Sequence, residues 1–414
     1  MIEVLEQIVV AAVMVFVGFV SLRPQQNTNL NWAMFYASLY VAVALPIVNS
    51  LCVTIGFWKY TESSAFSLPV NLYFIWVVLF SAFPVFFFKG KHIFLIAIAL
   101  FWLDLLLMPQ LAAVNFFSLN SNWLYGEFLI ITLVFLPAYF WAYCSINKKH
   151  IVFRAMMQVL VIGGIFFIGL PAALQAYELI PYQKLTRNPI LFQALFIIAF
   201  PSLIAVYDLV YKGGGTPFPY DPTQNLVQTG VYAYCRNPIQ WSFTFAFIPI
   251  AIYSGSSAML LGSFSSIVYS FAVSDPQEYP DMKERFGSTW DTYKSNVPKW
   301  RFLWRPNSIP KGTIYFDEHC NQCSQISQWF LTKKTIHLGI ETVNHFPKKH
   351  ILQATYIDHH GKEYRSVKAI AHCLEHINLA YAALGWFMRF PVISHFLQLI
   401  VNSLEIQQIK ECDT

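Results

Sequence analysis

Three groups of residues in this 414-residue chain have types and spacing that suit chemistry. The first is Tyr232 and Tyr234 with Arg236-Asn237-Pro238, at the mouth of an apolar segment. The second is Glu278, in the polar run 278–298 that follows that segment. The third is the pair Cys320 and Cys323, after a short apolar run at 313–316. An arginine can grip a carboxylate through two parallel hydrogen bonds. The two tyrosines offer faces for a flat heterocycle. Pro238 suits the first turn of a helix and leaves free N–H groups aimed at a ligand. Glu278 can accept hydrogen bonds from a ribose diol or an amino group. Upstream, Gly213, Gly214 and Gly215 with Pro217, Pro219 and Pro222 let the backbone turn tightly and approach a ligand closely. A ligand with an amino-acid end, a sugar and a base matches this set. The rival reading makes Arg236 an interfacial anchor.

The thiol pair is expected where a strand gives way to a helix. Peptide dipoles at a helix start lower a thiol's pKa, which makes Cys320 the attacking sulfur and Cys323, one turn in, its resolving partner. Zinc is the competitor, because nine of the eleven histidines lie in the tail and His372, Cys373 and His376 share a helical face. Roughly fifty residues separate them from Cys323, far from zinc-finger spacing, and histidines at such positions usually form a solvated helix face. No metal is assigned.

These groups must be positioned by a membrane protein. Only 12% of residues are charged, against about 25% in ordinary globular chains. Residues 1–273 hold 19 charges and the remaining 141 residues hold 30, so the tail alone resembles soluble chain. The net charge of +5 is small for this length and argues against nucleic acid. Apolar runs near 4–22, 33–57, 68–88, 92–114, 126–146, 153–177 and 189–211 approach the roughly 20 residues of a bilayer crossing. The run 239–273 is too long for one span and is interrupted by Pro249 and Ser254-Gly255-Ser256-Ser257, which predicts a tight helical hairpin. Its two ends would return the first and second groups to one membrane face.

The expected fold is thus a polytopic α-helical membrane protein of about eight to nine spans, including the hairpin, with a C-terminal α/β domain. Basic loops place the N-terminus outside and the tail in the cytoplasm, in a bacterial inner membrane. Of the intramembrane acids, Asp104 reads as an interhelical hydrogen-bond partner, and Glu127, Glu178 and Asp208 as groups solvated at span ends. In the tail, 313–316 and 351–357 read as strands, 324–331 and 366–379 as helices, and 384–409 as too broken to span.

The order Gly213-Gly214-Gly215-Thr216-Pro217, then Gly230, Tyr232 and Arg236-Asn237-Pro238, then a hairpin, then Glu278, Met282, Phe286-Gly287, Trp290, Tyr293 and Val297-Pro298, resembles the isoprenylcysteine carboxyl methyltransferase family, which is related to phospholipid methyltransferases. The likeness covers about 190–306. It implies an integral-membrane enzyme that uses S-adenosylmethionine (SAM) from the cytosolic side on a lipophilic acceptor or one bearing a thiol or carboxyl group. Carried over, the cofactor shell is Gln224, Asn225, Leu226, Val227, Tyr232, Asn237, Pro238, Ile239, Gln240 and Glu278, with Arg236 completing the motif. Gln240 replaces an aromatic residue, and Ser274-Asp275-Pro276 stands where an arginine reads a prenylcysteine carboxylate. Both departures argue against that carboxylate as acceptor.

Tyr315, Asp317, Cys320, Cys323 and the later Gly361, Tyr364, Ser366 and Ala369-Ile370 resemble the DCC family of thiol–disulfide oxidoreductases over about 311–405. That likeness implies a thioredoxin-like fold and a thiol redox partner. Three domains are therefore expected: 1–150, transmembrane helices without an assigned role; 151–306, methyltransferase-like; and 311–414, thioredoxin-like. Membrane lipids are expected partners. The alternative is a membrane-anchored thiol–disulfide oxidoreductase whose membrane part is only an anchor or lipid-binding scaffold.

Overall fold

The computed structural model describes residues 28–61, 69–171, 174, 189–218, 221–307, 309–317, 321–346 and 353–403. The apolar run 4–22, Glu178 and Cys320 lie outside the described residues. The chain divides into two compact units, 1–182 and 183–414.

In the first unit, helix α1 (Thr28–Ile55) buries Ala33, Ala37, Val41, Leu45, Val48 and Cys52, a stripe at three- and four-residue spacing. Near its end, Asn49 accepts hydrogen bonds from the Trp58 indole at 3.1 Å and the Tyr60 hydroxyl at 2.9 Å. This pins strand β1 (Trp58–Tyr60). Helices α2 (Val70–Phe80) and α3 (Ala82–Phe88) follow, then α4 (Ile93–Ala113) and strand β2 (Phe117–Leu119), antiparallel to β1. Helix α5 (Trp123–Ile130) continues through a π-type turn at 131–135 into α6 (Leu136–Ile146), and α7 (Ile151–Gly164) closes the described bundle. Tyr36 of α1 stacks on Trp141 of α6, ring centres 5.1 Å apart.

The second unit begins with α8 (Pro189–Asp208), extended by a π-type turn at 209–213. Helix α9 (Pro238–Ser254) runs through Pro249 and stops at Gly255, whose φ of +67° is the left-handed conformation that ends helices. Helix α10 (Leu260–Tyr269) then returns against α9, and a π-type turn at 270–274 leads into α11 (Asp275–Asn296). The hairpin is held by polar contacts as well as apolar ones. Thr244 donates to the Ser266 hydroxyl at 2.8 Å, and Ser263 donates to the Thr244 carbonyl at 2.6 Å. The expected doubling-back after Pro238 is therefore present.

The expected eight to nine spans are met in part among the described residues. Four described helices are long and apolar enough to cross a membrane: Asn29–Ile55, Ile93–Ala113, Trp123–Ile146 and Pro189–Gly213. The 68–88 run breaks at Ser81, where the backbone leaves helical geometry (φ −132°, ψ −88°), and the described part of 153–177 contains the shorter apolar helix Ile151–Phe167. Hydropathy counts apolar runs and cannot register such breaks.

Asp104 makes the interhelical hydrogen bond expected of it, whereas Glu127 and Asp208 are not solvated at span ends. Asp104 and Glu127 are both buried and hydrogen-bond each other across α4 and α5. Glu127 lies a turn inside its helix because that helix starts at Trp123, so it meets Asp104 rather than interfacial water. Asp208 is completely buried in an ion network described below.

The tail forms a four-stranded sheet. Strand β3 (Gly312–Phe316), helix α12 (Asn321–Thr332) and strand β4 (Leu338–Thr342) make a parallel βαβ unit with Ile314 beside Ile340. Strand β5 (Thr355–Ile357) pairs antiparallel with β3, and β6 (Glu363–Arg365) with β5, giving the order β4-β3-β5-β6. The single helix expected at 366–379 is two: α13 (Val367–Leu374) and α14 (Leu379–Arg389). Asn378 starts the second by accepting the Tyr381 N–H at 3.2 Å. Helix α15 (Pro391–Ser403) leaves α14 at 88°, because Phe390 before proline is extended.

Helices α13 and α14 cross where Gly385 lies against the Ala371 carbonyl, and an added Cβ would collide with that backbone oxygen. Gly385→Ala is therefore expected to cost about 1–3 kcal/mol through overpacking, despite alanine's better helix propensity. Thermal unfolding of detergent-purified protein measures this; an unchanged or raised midpoint would contradict the close crossing.

Candidate active site and its ion network

The Gly-rich loop folds first onto its own chain. The Gln224 and Asn225 N–H groups donate to the Gly213 carbonyl at 2.6 and 3.1 Å, and the Gly215 N–H to Leu209 at 3.1 Å. A Cβ on Gly215 would sit 2.5 Å from the Thr223 backbone. Gly213 and Gly215 here turn the backbone tightly enough for Thr223 of the returning chain to lie against them. Leu226 packs on the cluster of Trp290, Tyr293 and Val297, and Val227 lies in a core with Ile204 and Tyr232.

The residues 230–233 form a 3-10 turn. The Tyr293 hydroxyl donates to the Tyr232 carbonyl at 2.9 Å, which ties α11 to this turn. Tyr232 is buried, and that burial pushes its phenol well above the ordinary range. Tyr234 does not face an open site. It is fully buried edge-on to Trp386, and its hydroxyl donates to the Glu375 carbonyl at 2.7 Å.

Arg236 directs its guanidinium at the end of α11. It donates to the carbonyls of Lys294 at 2.8 Å and Val297 at 3.4 Å and to the Tyr279 hydroxyl at 3.3 Å. It also lies over the Tyr279 and Trp290 rings, at 5.6 and 5.8 Å. A cation on the last carbonyls of a helix is favourably placed against the helix dipole. In this structure the arginine holds α11 onto the start of α9.

From there a hydrogen-bonded chain joins the two polar groups. The Asn237 amide donates to Gln240 Oε1 at 2.8 Å, the Gln240 amide donates to Ser274 Oγ at 3.0 Å, and Ser270 donates to Gln240 Oε1 at 2.7 Å. Ser274 in turn hydrogen-bonds the Glu278 carboxyl. Burial raises the Glu278 pKa and Asp275 adds to this, while Ser274 and Lys299 oppose it. Lys299 is engaged with Asp275 at 2.6 Å. Pro238 occupies the first turn of α9, and half-buried Ile239 packs on the core around Tyr232. Asn237, Gln240 and Glu278 thus meet at one end of the hairpin, with Arg236 and Leu226 on the flanking α11 cluster. Ser270 is a partner the sequence did not single out, and Ser274 and Tyr293, named above only within motifs, join it; the four-residue spacing Ser266, Ser270, Ser274 along the return leg is the signal for the serines.

Behind the 230–233 turn lies a buried ion network. Asp208 contacts Lys212 at 3.1 Å and Arg389 at 3.2 Å, and Arg389 contacts Glu375 at 2.8 Å. Burial pushes the Glu375 carboxyl up, but Arg389, Lys212 and His372 together hold it well below the usual carboxylate range. His372 packs against both the Tyr356 and Tyr364 rings and lies 3.7 Å from Glu375. His376 uses both ring nitrogens, at 2.9 Å from the Tyr356 hydroxyl and 2.7 Å from the Ile336 carbonyl. Both histidines are buried, contrary to a solvated helix face, because α13 packs that side against the sheet. Among the described residues no group of three or more His, Cys, Asp or Glu is arranged to hold a metal. Cys323 is buried in the tail core beside Ile314 and Phe330.

The model of the phospholipid methyltransferase family matches residues 187–289. This stretch takes in α8, the Gly-rich loop, the hairpin and Glu278. No curated protein and no solved structure matches the chain. The apolar helices and this match together mark an integral membrane protein with a region similar to membrane methyltransferases.

Burial, with help from Arg389, lowers the His372 pKa from 6.5 to about 4. A depressed native pKa gives stability that is present above the unfolded value and lost as pH falls through the native one. Unfolding midpoints should therefore drop between about pH 6.5 and 4, by roughly 3 kcal/mol at most. His376, also lowered by burial, adds in the same direction. His372→Phe should flatten this slope while keeping the ring contacts. An equal slope in the variant would contradict a neutral buried His372.

Proposed function

We propose that the chain is a SAM-dependent methyltransferase of the membrane, acting on a lipophilic or thiol- or carboxyl-bearing small acceptor. One observation carries this: the chain Asn237–Gln240–Ser274–Glu278 joins the two polar clusters inside the stretch that the phospholipid methyltransferase model matches. The residues fit the cofactor. A half-buried carboxyl at Glu278, already taking a hydrogen bond from Ser274, suits hydroxyl or amino donors. Gln224, Asn225, Leu226, Val227, Tyr232, Asn237, Pro238, Ile239 and Gln240 complete the proposed shell. When bound, SAM supplies an electrophilic methyl group. The protein's part is positional: Glu278 orients polar donors, Gln240 fixes the angle between α9 and the 270–274 turn, and the apolar hairpin keeps water from the acceptor. Holding a nucleophile in line and dry supplies much of such a rate. Arg236 contributes by fixing α11, and so Glu278, against α9.

The tail is proposed as a thiol–disulfide redox domain of thioredoxin-like fold, with Cys320 attacking and Cys323 resolving. Its βαβ unit followed by two antiparallel strands and a helix supports the reading, as does Cys323 in the first turn of α12. The active site and tail are placed on the cytoplasmic side of a bacterial inner membrane, on the strength of the basic loops.

Calorimetry with SAM on detergent-purified protein tests the leading reading. Wild type should bind, and Glu278→Gln should weaken binding about tenfold or more, the size of one charge-assisted hydrogen bond. Absence of SAM binding to wild type would overturn the assignment, and unchanged affinity in the variant would remove Glu278 from the site.

A further inference from the structure

The turn that carries Tyr232 is held from two directions. On one side the Tyr293 hydroxyl takes the Tyr232 carbonyl at 2.9 Å. On the other, the Gly230 N–H donates to Glu375 Oε2 at 3.1 Å, across 145 residues of sequence. Gly230 has φ +66°, and a Cβ there would run into the Asp208 carboxylate and Arg389. Lys212 also reaches the Thr229 hydroxyl at 3.0 Å. The tail therefore touches the turn through a carboxylate, and that carboxylate is itself fixed by Arg389.

Stability alone does not account for this choice. Three buried charges, Asp208, Glu375 and Arg389, with the half-buried Lys212 beside them, are costly to desolvate, and apolar replacements of such networks are often neutral or stabilising. What an apolar side chain cannot do is accept the Gly230 N–H and set the place of the backbone two residues before Tyr232. We infer that Glu375, held by Arg389, is a positioning residue for the methyl-donor loop, so that the C-terminal domain completes the site of the membrane domain. The inference rests on the methyltransferase reading above. It also gives the tail a role that needs neither cysteine.

The experiment is SAM titration of full-length protein in detergent, with hydrogen–deuterium exchange on the same samples. The double variant Glu375→Met/Arg389→Met removes both charges and the acceptor of the Gly230 N–H, keeps side chains of similar length, and leaves Asp208 paired with Lys212 at 3.1 Å. Its Kd for SAM should rise about tenfold, the loss expected for one charge-assisted hydrogen bond. Exchange should quicken at 230–233 and stay unchanged through the hairpin at 238–269. Glu363→Gln, on the sheet's edge strand, should match wild type. If the double variant shows no cooperative melt, Glu375→Gln alone decides, because Arg389 keeps Asp208; its Kd should rise at least threefold. A variant that melts at lower temperature yet binds SAM with wild-type affinity overturns the positioning role and leaves the methyltransferase reading standing. A wild type that does not bind SAM overturns both.

Discussion

The interaction on which this structure depends is the seating of one amide, Gln240, between Asn237, Ser270 and Ser274. It closes the open end of the α9–α10 hairpin. An amide has two donors and one carbonyl oxygen with two lone pairs, and three of these sites are used here by named partners. In an apolar surround an unsatisfied polar group is expensive, so this set of bonds is strongly preferred once the helices approach. Because Ser274 also bonds Glu278, the orientation of the candidate acid follows from the closure of the hairpin. Arg236 fixes the other end of α11 by the carbonyls of Lys294 and Val297.

A second constraint ties the tail to this arrangement. The Asp208–Arg389–Glu375 network links the end of α8, the 230–233 turn and α14 in one buried cluster, and Lys212 brings it to charge balance. Removing a single partner from such a cluster leaves an uncompensated buried charge, which is why its members are expected to act together. The tail is thus built into the wall behind the candidate site.

Much of the layout was legible from local pattern. Ser254-Gly255 after an apolar run announced the hairpin, because glycine readily takes the left-handed conformation that ends a helix. The strand before Cys323 and the break after Phe390 were equally local. The rest was hidden for physical reasons. Ser81 breaks a helix by its backbone angles, which hydropathy does not encode. The Gly213–Gly215 triplet announced a tight turn, but not which residues it turns against, Thr223 at Gly213 and Gly215 and Gln224 at Gly214. The contacts of Gly230 with Glu375 and of Asp208 with Arg389 span 145 and 181 residues, and no window along the chain connects such positions. The two tail histidines looked solvated for the same reason, since the sheet that buries them comes from earlier strands.

The account's central claim is that the hairpin returns the polar start of α11 to the start of α9. Cross-linking of Gln240→Cys to Ser274→Cys with a short bifunctional thiol reagent tests it most directly, because the native side chains meet at 3.0 Å and the reagent replaces the reach that cysteine lacks beside glutamine. In the full-length protein in native membranes, the reagent should join these two positions within one chain, as mass spectrometry of the linked peptides would show. If the two cysteines fail to join and instead label only from opposite faces of the membrane, the hairpin and the site built on it are wrong.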